Sequence, residues 1–388
     1  MHQNVFVIGA TGNVGSTLLK QISKKDVDDT NQNPTRLIWI ASSNKFWLPN
    51  WGVPEEIVTH IGEIYWDNPD TTLIATKAYI KDILDKYGNN WSQDGTTHIP
   101  LPEFIKRWYK HSAILVDTTA EAFDKLHWEA ISPQYGFWVV TANKKPVSMV
   151  SQEVFDKLTS NHWIYDFNTT VMAWWWAVNT LRRTVNTGDT VNSIEWCFSW
   201  TLWYIAAELE KWEKTFSEIV KEAKEKGYTE PNPWDDLNGL DVARKLIILI
   251  RSAWYKIEWS DIEKKVSPFI DKRYWNLTNI QEFMQNIKDE DKRIATLYKE
   301  AKYEGMTYKY VASAFFNNNQ INVSIGLKKV PLLSPIGSLK GTSNIFVMYS
   351  GIYSVTPHII ISPWAGLALT ADSLRDSIVK LLPKTASR

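Results

Sequence analysis

The sequence is poor in disulfide-forming and metal-binding residues. It has one cysteine, Cys197, and seven histidines that show no HExxH or paired-ligand spacing. A single cysteine cannot form an intrachain disulfide, and scattered histidines do not predict a structural zinc site. The sequence also lacks the ~18 consecutive apolar residues of a membrane-spanning helix. It starts in the strand-like segment NVFVIGA without a signal-type leader, so we expect a cytoplasmic protein.

Neither sign of charge is in excess. Lys and Arg together number 43, and Asp and Glu also number 43, in a chain of 388 residues. This balance predicts neither nucleic acid nor an anionic membrane surface as a partner. With 44% hydrophobic and 22% charged residues, the chain has the composition of a globular protein that is long enough for two domains. We expect its partners to be small molecules and further copies of itself.

Glycine is scarce relative to tryptophan. The sequence has 17 Gly and 21 Trp, whereas glycine ordinarily makes up about 7% of residues and far outnumbers tryptophan. Three tryptophans, Trp174 to Trp176, stand together in TTVMAWWWAVN. This segment reads as a turn from a strand to a helix, where small residues are usual.

The first part of the chain alternates strands and helices. The strand NVFVIG leads through three glycines into the helix-like STLLKQISK, and the strand RLIWIASS follows at 36–43. After a segment, 44–100, that reads as loops around one helix, buried strands are predicted at 111–119 and 136–144 with a helix between them. This order predicts an α/β fold, a Rossmann-type doubly wound parallel sheet, in an NAD(P)-binding domain over residues 1–165.

The second part has a different pattern. From WIYDFNTT onward, strands such as VNSIEWCFSW are mixed with long amphipathic helices such as LDVARKLIILIRSAW. We predict an α+β domain for substrate binding and dimerisation over residues 166–344. The C-terminal segment, about 345–388, contains the helix TADSLRDSIVKLL and is predicted to complete the first domain.

The glycines after the first strand have the spacing GxxGxxG, a variant of the dinucleotide-binding turn. Glycine permits a tight turn, lets the backbone approach a pyrophosphate and leaves helix N–H groups available to bind it. A plain tight turn between a strand and a helix is the alternative. The candidate coenzyme contacts in this turn are Gly9, Thr11, Gly12, Asn13, Val14 and Gly15.

The end of the second strand bears on the choice of coenzyme. It reads ASSNK and lacks the Asp or Glu that would bind a ribose 2′-hydroxyl. Ser42 and Lys45 would accept a 2′-phosphate instead. The sequence therefore favours NADP(H) over NAD(H).

The segment GYTEPNPWDDLNGLDVARK, residues 227–245, combines carboxylates with a lysine at the start of a helix. Asp241 and Lys245 are four residues apart and share one helix face. Such a pair is usually a solvated surface contact. However, the helix continues with apolar residues and Glu230, Asp235 and Asp236 precede it. A buried lysine among carboxylates is typical of a proton-transfer group or of a clamp for an amino acid.

Several motifs together resemble the homoserine dehydrogenase family. They are FVIGATGNVG, VDTTAE, TANKK, FSWTLWYI, KGYTEPNPWDDLNGLDVARK and PWAGLALTA, which occur in this order across nearly the whole chain. The resemblance implies the NAD(P)-dependent interconversion of L-homoserine and L-aspartate 4-semialdehyde in threonine, methionine and isoleucine biosynthesis. Since the chain begins at the nucleotide-binding fold, we expect a short, monofunctional form without a kinase or regulatory domain.

The resemblance also implies roles for individual residues. Lys245 would carry the proton of the substrate oxygen, Asp241 would stand beside it, and Lys144 would lie near the nicotinamide. In the substrate pocket, Glu230 and Asp236 would bind the amino group, and Tyr228 and Thr201 would shape the walls. Further coenzyme contacts are expected at Thr118, Thr119, Asn143, Lys144 and Gly366.

Many members of this family bind a monovalent cation near the strand before the tryptophan triplet, through a carboxylate and backbone carbonyls. Here Asn168 stands where a Glu is common, and Asp166 is the candidate replacement. The candidate ligands of a Na⁺ or K⁺ ion are Asp166, Asn168, Val171 and Ala173. The resemblance further implies a homodimer that pairs through the sheet of the second domain.

Seven tryptophans stand where the family carries glycine: Trp39, Trp174, Trp196, Trp200, Trp212, Trp254 and Trp364. Two interpretations compete. If the tryptophans are real, the chain is a catalytically impaired nucleotide-binding homologue or a binder that uses aromatic platforms. If the gene comes from a lineage that reads UGA as glycine, these residues are glycine in the cell, and both the Trp surplus and the Gly deficit are explained.

Cys197 bears on a second enzyme class. An aspartate-semialdehyde-type dehydrogenase needs an activated cysteine as its nucleophile. Cys197 stands inside an apolar strand without a neighbouring base in the sequence. We therefore expect it to be a core residue.

Overall fold

The computed structural model describes residues 3–27, 35–49, 51–65, 68–90, 109, 111–161, 164–172, 176–197, 199–230, 232–277, 279–317, 320–339, 343–363 and 366–385. The chain forms two compact units. The first consists of Met1–Trp175 and Ala365–Arg388, and the second of Trp176–Trp364.

The first unit contains a mixed sheet with the strand order β4-β3-β2-β1-β5-β6-β7. Its strands are β1 (Gln3–Ile8), β2 (Thr35–Ala41), β3 (Lys45–Trp47), β4 (Asn89–Asn90), β5 (Ala113–Asp117), β6 (Trp138–Thr141) and β7 (Tyr165–Asp166). β1, β2, β5, β6 and β7 run parallel, while at one edge β3 pairs antiparallel with β2 and β4 pairs antiparallel with β3. The parallel strands confirm the predicted Rossmann-type fold.

The central strands of this sheet are buried on both faces. Successive residues of a strand point to opposite faces, and all residues of β5 and β6 are buried, so helices must cover both sides. These helices are α1 (Asn13–Val27), α2 (Glu55–Glu63), α3 (Pro69–Tyr87), α4 (Asp124–Ile131), α5 (Lys145–Ser148), α6 (Gln152–Thr159) and α15 (Leu367–Thr385). Among them, α1, α2, α3 and α15 share one apolar core with β1, β2, β5 and β6.

The second unit contains an antiparallel sheet with the order β10-β9-β8-β11-β12. Its strands are β8 (Val191–Cys197), β9 (Met306–Asn317), β10 (Gln320–Pro331), β11 (Ser343–Ser350) and β12 (His358–Pro363). Its helices are α7 (Trp176–Asn186), α8 (Trp200–Leu209), α9 (Phe216–Glu225), α10 (Trp234–Leu237), α11 (Leu240–Ser252), α12 (Trp259–Glu263), α13 (Ile280–Asn286) and α14 (Asp291–Tyr303). This is the α+β arrangement that the sequence predicts.

The boundaries of the units differ from the predicted ones. The return to the first unit begins at residue 365 rather than about 345, because β11 pairs with β8 and β12 in the second sheet. The first boundary lies at residue 175 rather than 165. There the short 3₁₀ helix Asn168–Thr170 contacts β6 and α15, and the hydroxyl of Thr169 lies 2.9 Å from that of Ser373.

The segment 44–100 also differs from its prediction. Its described part, 44–49, 51–65 and 68–90, contains two helices, α2 and α3, where the sequence predicts one. Within the described ranges, no helix is long and apolar enough to span a membrane. The cytoplasmic location stays a prediction.

The seven tryptophans at family glycine positions lie in different surroundings. Trp39 and Trp196 are fully buried in β2 and β8. Trp212 and Trp254 follow helices α8 and α11 and have positive φ angles. Trp200 begins α8, whereas Trp174 and Trp364 lie outside the described residues.

Candidate active site

The carboxyl ends of four neighbouring parallel strands meet along one edge of the first sheet. Ile8, Ala41, Asp117 and Thr141 are paired across β2, β1, β5 and β6. The residues that follow each strand therefore share this edge, which we call the coenzyme edge. Strand order reverses at β1, and ligands of doubly wound sheets bind at such a switch point.

Two glycines at the start of this edge pack too closely for any side chain. Gly9 has a φ of +83°, a left-handed value that favours glycine, and a Cβ on Gly15 would lie 2.2 Å from the carbonyl oxygen of Gly9. The hydroxyl of Thr118 lies against both glycines and donates to Ile8 O over 2.7 Å. The turn is thus narrow because Gly9, Gly15 and Thr118 fill it together.

The remaining candidates of the glycine turn lie where helix α1 begins. The N–H of Gly12 donates to Gly9 O over 2.9 Å, and α1 starts at Asn13. Thr11 and Val14 flank these residues in the chain. The first turn of a helix carries N–H groups and a positive dipole end, which suits an anionic pyrophosphate.

The turn between β2 and β3 also lies at the coenzyme edge. Ser42 Oγ accepts the N–H of Lys45 over 3.1 Å, which closes the turn. Lys45 Nζ lies 2.7 Å from Asp85 Oδ1 on α3. The sequence did not indicate Asp85, because it is 40 residues from Lys45 in the chain.

A buried hydrogen-bond network centred on Asp117 holds the turns of the coenzyme edge. Asp117 Oδ1 accepts the N–H of Thr119 over 2.8 Å, and Asp117 Oδ2 accepts from Asn143 Nδ2 over 2.9 Å. His127 places Nε2 3.0 Å from the same Oδ2 and Nδ1 2.7 Å from the hydroxyl of Tyr165. Burial raises the pKa of Tyr165 well above its usual value, so the phenol stays protonated.

Asn143 joins two turns of the edge. Its Nδ2 also contacts Thr119 Oγ1 at 3.1 Å and Glu121 O at 2.7 Å, while its Oδ1 accepts the N–H of Lys145. Lys144 is therefore held directly before α5, at the N-cap of that helix. The structure brings the coenzyme candidates Thr118, Thr119, Asn143 and Lys144 to one edge of the sheet. Gly366, the last coenzyme candidate, lies directly before α15.

The candidate cation ligands Asp166 and Asn168 form a compact group after β7. Asn168 donates its backbone N–H to Asp166 Oδ1 over 2.9 Å, and its Nδ2 contacts both oxygens of Asp166. Burial raises the pKa of Asp166. Within the described part of the chain, the buried Oδ1 of Asn168 meets no hydrogen-bond donor. Val171 follows the 3₁₀ helix, and Ala173 lies outside the described residues.

In the second unit, helix α11 carries the lysine and its partner. Lys245 Nζ lies 2.7 Å from Asp241 Oδ2, and the Lys245 side chain is only 16% exposed. Apolar residues 246–250 of the same helix are fully buried. A lysine that is buried to this extent differs from the solvated surface pair that an i, i+4 spacing usually forms.

The carboxylate of Asp236 contacts two of the other residues that are candidates for substrate binding. Asp236 Oδ1 lies 2.8 Å from Thr201 Oγ1, and Asp236 Oδ2 accepts the N–H of Glu230 over 2.8 Å. Thr201 Oγ1 also contacts the carbonyl oxygen of Tyr228 at 2.6 Å. The structure therefore brings Thr201, Tyr228, Glu230 and Asp236 together.

The charge state of Asp236 follows from its surroundings. Burial raises the pKa of Asp236 to about 6, and the negative charges of Glu230 and Asp241 add to the shift. A cationic partner would stabilise the carboxylate form of Asp236, because a nearby positive charge favours the ionised form of an acid. An ammonium group of a substrate is a partner of this kind.

Cys197 does not have the properties of a nucleophile. Its thiol donates to Tyr310 O over 3.2 Å within the core, and burial raises its pKa to about 12. A catalytic thiol needs a lowered pKa and access to substrate. The interpretation of Cys197 as a core residue is consistent with this environment.

A Rossmann-type sheet with a glycine turn, and a largely buried lysine beside a carboxylate in the second unit, are features of an NAD(P)-dependent oxidoreductase that acts on a CH–OH group. The family model described as homoserine dehydrogenase matches residues 177–379, just over half of the chain. The chain belongs to the homoserine dehydrogenase family.

Similar proteins agree with this assignment. Homoserine dehydrogenase of Saccharomyces cerevisiae is 32% identical over 76% of this chain and 84% of its own length. That of Schizosaccharomyces pombe is 31% identical over 98% of this chain and 95% of its own. A hyperthermophilic archaeal homoserine dehydrogenase, solved in complex with NADPH, shares the fold with a TM-score of 0.64 at 19% identity, over 99% of this chain and 98% of its own.

Proposed function

We propose that the chain interconverts L-homoserine and L-aspartate 4-semialdehyde with a nicotinamide coenzyme. The observation that carries this proposal is the group around Asp236 together with the largely buried Lys245 and its partner Asp241 on the following helix. The substrate is an amino acid with an oxygen at its reactive carbon, so it needs carboxylates for its ammonium group and one proton-transfer group. The second unit offers both. The catalytically impaired homologue is not favoured, because the family match covers this whole region.

Lys245 is the proton-transfer residue of this proposal. In the reductive direction its ammonium group gives a proton to the carbonyl oxygen of the semialdehyde, and in the oxidative direction it takes the proton from the hydroxyl of homoserine. Asp241, 2.7 Å from Nζ, orients the ammonium group. Asp236 and Glu230 bind the amino group of the substrate, and Thr201 holds Asp236 in place. The coenzyme, when bound, supplies or accepts the hydride.

The coenzyme edge of the first unit would hold the nicotinamide coenzyme. The glycine turn and the start of α1 suit its pyrophosphate. We propose NADP(H) as the preferred form, because Ser42 and Lys45 stand together in the β2–β3 turn and no carboxylate ends β2. Lys144 would lie on the nicotinamide side, since Asn143 fixes the turn that carries it.

We also propose a monovalent cation, Na⁺ or K⁺, at Asp166 and Asn168. The raised pKa of the buried Asp166 carboxyl and the buried Asn168 Oδ1 without a donor in the described structure both fit a bound cation. Backbone carbonyls of Val171 and Ala173 would complete the ligand set. Hard oxygen ligands are those that such ions prefer.

A homodimer is proposed through the sheet of the second unit. β12 is one of the two outer strands of the described sheet and exposes Ile359 and Ile361. An edge strand with exposed apolar residues is a template for pairing with a second copy. Ile361→Lys should shift the chain toward the monomer in analytical ultracentrifugation. An unchanged mass distribution would exclude this edge as the interface.

The proposed activity can be tested directly. NADPH oxidation with aspartate semialdehyde should be measured on two versions of the chain, with glycine or with tryptophan at positions 39, 174, 196, 200, 212, 254 and 364. We expect turnover in the glycine version. If that version folds and binds NADPH but shows no turnover, the proposed reaction is wrong.

A further inference from the structure

One face of α3 contacts two neighbouring turns of the coenzyme edge, those that follow β1 and β2. Lys77, Lys81 and Asp85 are spaced four residues apart and therefore share this face. At one end, Lys77 Nζ lies 2.8 Å from Asn13 Oδ1 at the start of α1. At the other end, Asp85 contacts Lys45 in the β2–β3 turn. The helix thus brings both signs of charge to the places where a dinucleotide carries its phosphates.

The contact between Lys45 and Asp85 has a direct bearing on coenzyme choice. Lys45 is the residue expected to meet a ribose 2′-phosphate, but its ammonium group already lies 2.7 Å from a carboxylate. The hydrogen bond from Lys45 holds the pKa of Asp85 below its usual value, so Asp85 is negative at neutral pH. A negative charge at this distance offsets the attraction of Lys45 for a phosphate.

We propose that Asp85 sets the coenzyme preference by partly neutralising Lys45, so that the chain discriminates less strongly between NADP(H) and NAD(H) than Lys45 alone would allow. This inference rests on the proposed function, because it assumes that the β2–β3 turn receives the adenosine ribose. Lys77 would contribute positive charge to both coenzymes, since it lies at the glycine turn rather than at the β2–β3 turn.

The test compares the dissociation constants of NADPH and NADH by fluorescence titration. Asp85→Asn removes the charge and keeps an oxygen that can accept from Lys45. We expect it to increase the preference for NADPH about fivefold, the size expected for one unit charge a few ångströms away in water, and the increase should shrink at high salt. Lys45→Gln should lower the preference.

Glu153→Gln is the matched control. It removes the negative partner of another ion pair in the same unit, Lys157–Glu153 on α6, which has the same 2.7 Å distance. Its NADPH/NADH ratio should equal that of the unchanged chain. An unchanged or lowered ratio in Asp85→Asn would overturn the inference, even if turnover supports the proposed reaction. Failure to bind either coenzyme would contradict the proposed function itself.

An independent observation concerns the ends of two helices in the second unit. Gly227 follows helix α9 and has a φ of +70°. The N–H of Gly227 donates to Lys224 O, and the N–H of Tyr228 donates to Ala223 O. This pair of bonds is the Schellman motif, which places a left-handed residue, usually glycine, after the helix. Gly305, after α14, has a similar φ of +68°.

Helix α11 ends in the same motif with a tryptophan in the glycine position. Trp254 has a φ of +66°, its N–H donates to Arg251 O over 3.0 Å, and that of Tyr255 donates to Ile250 O over 3.2 Å. Trp212, after α8, has a φ of +64°. Trp254 is 65% exposed and Trp212 is 41% exposed. Burial therefore does little to offset the strain of a left-handed residue with a Cβ.

We infer that positions 212 and 254 are glycine in the organism that makes this protein, as UGA codons read as glycine would produce. Peptide mass spectrometry of the chain isolated from that organism should find glycine at both positions. Tryptophan at either position would overturn the inference for that position.

Recombinant variants test the structural premise. Trp254→Gly should raise Tm, because it relieves the left-handed strain. Trp128→Gly is the matched control, since Trp128 is also exposed but lies inside helix α4, where glycine is unfavourable. It should lower Tm. A lower Tm in Trp254→Gly would show that this tryptophan is accommodated and would contradict the premise.

Discussion

The candidate ligand-binding surfaces of the two units differ in chemistry, because one consists of backbone and the other of side chains. At the coenzyme edge of the first unit, backbone and glycine form the surface, and the ionisable groups Asp117 and His127 are fully buried beneath it. In the second unit, ionisable side chains themselves form the site, and Asp236, Asp241 and Lys245 follow one another within ten residues of sequence.

This difference predicts two kinds of sensitivity. At the coenzyme edge, a change of an exposed side chain such as Asp85 should shift the coenzyme preference only severalfold, whereas an added Cβ at the narrow turn should displace the backbone that binds both coenzymes. The site of the second unit should tolerate small changes of shape but not the loss of a charge. The following variants test this contrast, beginning with the largest expected effect.

Lys245→Ala should lower kcat by about 10²- to 10⁴-fold, the usual contribution of a positioned acid–base residue. Affinity for NADPH, measured by titration, should stay unchanged because the proposed coenzyme contacts are all residues of the first unit. Lys221→Ala, which removes an exposed i, i+4 partner of Glu225, is the control and should retain full turnover. Full turnover in Lys245→Ala would remove this residue from the mechanism.

Asp236→Asn should raise KM for homoserine roughly 10- to 100-fold, because a charge-assisted hydrogen bond to the amino group contributes about 1.5–3 kcal/mol. The pH dependence gives a second measure. Since the pKa of Asp236 is raised to about 6, the carboxylate is protonated below that pH and ionised above it. KM should therefore fall as pH rises through about 6 in the unchanged chain, and this step should be absent from the variant. An identical step in both would assign it to another group.

Gly15→Ala should weaken NADPH binding, because its Cβ would meet Gly9 O at 2.2 Å and displace the turn. The overpacking itself should lower the stability of the fold by about 1–3 kcal/mol. Gly188→Ala is the control. Gly188 also has a positive φ, but a Cβ there would meet nothing within 4 Å, so Tm should fall while NADPH affinity is retained. Equal loss of affinity in both variants would show that general destabilisation, not the glycine turn, is responsible.

The sequence predicts the parallel sheet because its strands are continuous apolar runs followed by glycine or hydroxyl residues. It does not predict α2, since Glu55–Glu63 is short and stands among prolines and asparagines. The predicted division near residue 345 differs from the division of the structure at residue 365, because β11 has the apolar composition of strands in either sheet. Only its long-range pairing with β8 assigns it to the second unit.

The same distinction between local and long-range contacts applies to the sites. The candidates from Tyr228 to Lys245 lie in one continuous segment, so their proximity follows from a turn and a helix. The partners that the sequence did not indicate, Asp85 and His127, reach the coenzyme edge only through tertiary packing of α3 and α4. No local pattern marks them, because an isolated Asp or His on a helix has many ordinary roles.

The buried position of His127 makes it a reporter for spectroscopy. Its ring is fully buried, and both nitrogens are held, by Asp117 and by Tyr165. A ring N–H in such a place exchanges with solvent only when the surrounding structure opens. Its proton resonance should therefore be visible by NMR at neutral pH. Because Asp117 also holds Thr119 and Asn143, that one signal would report on the order of the whole coenzyme edge without a label.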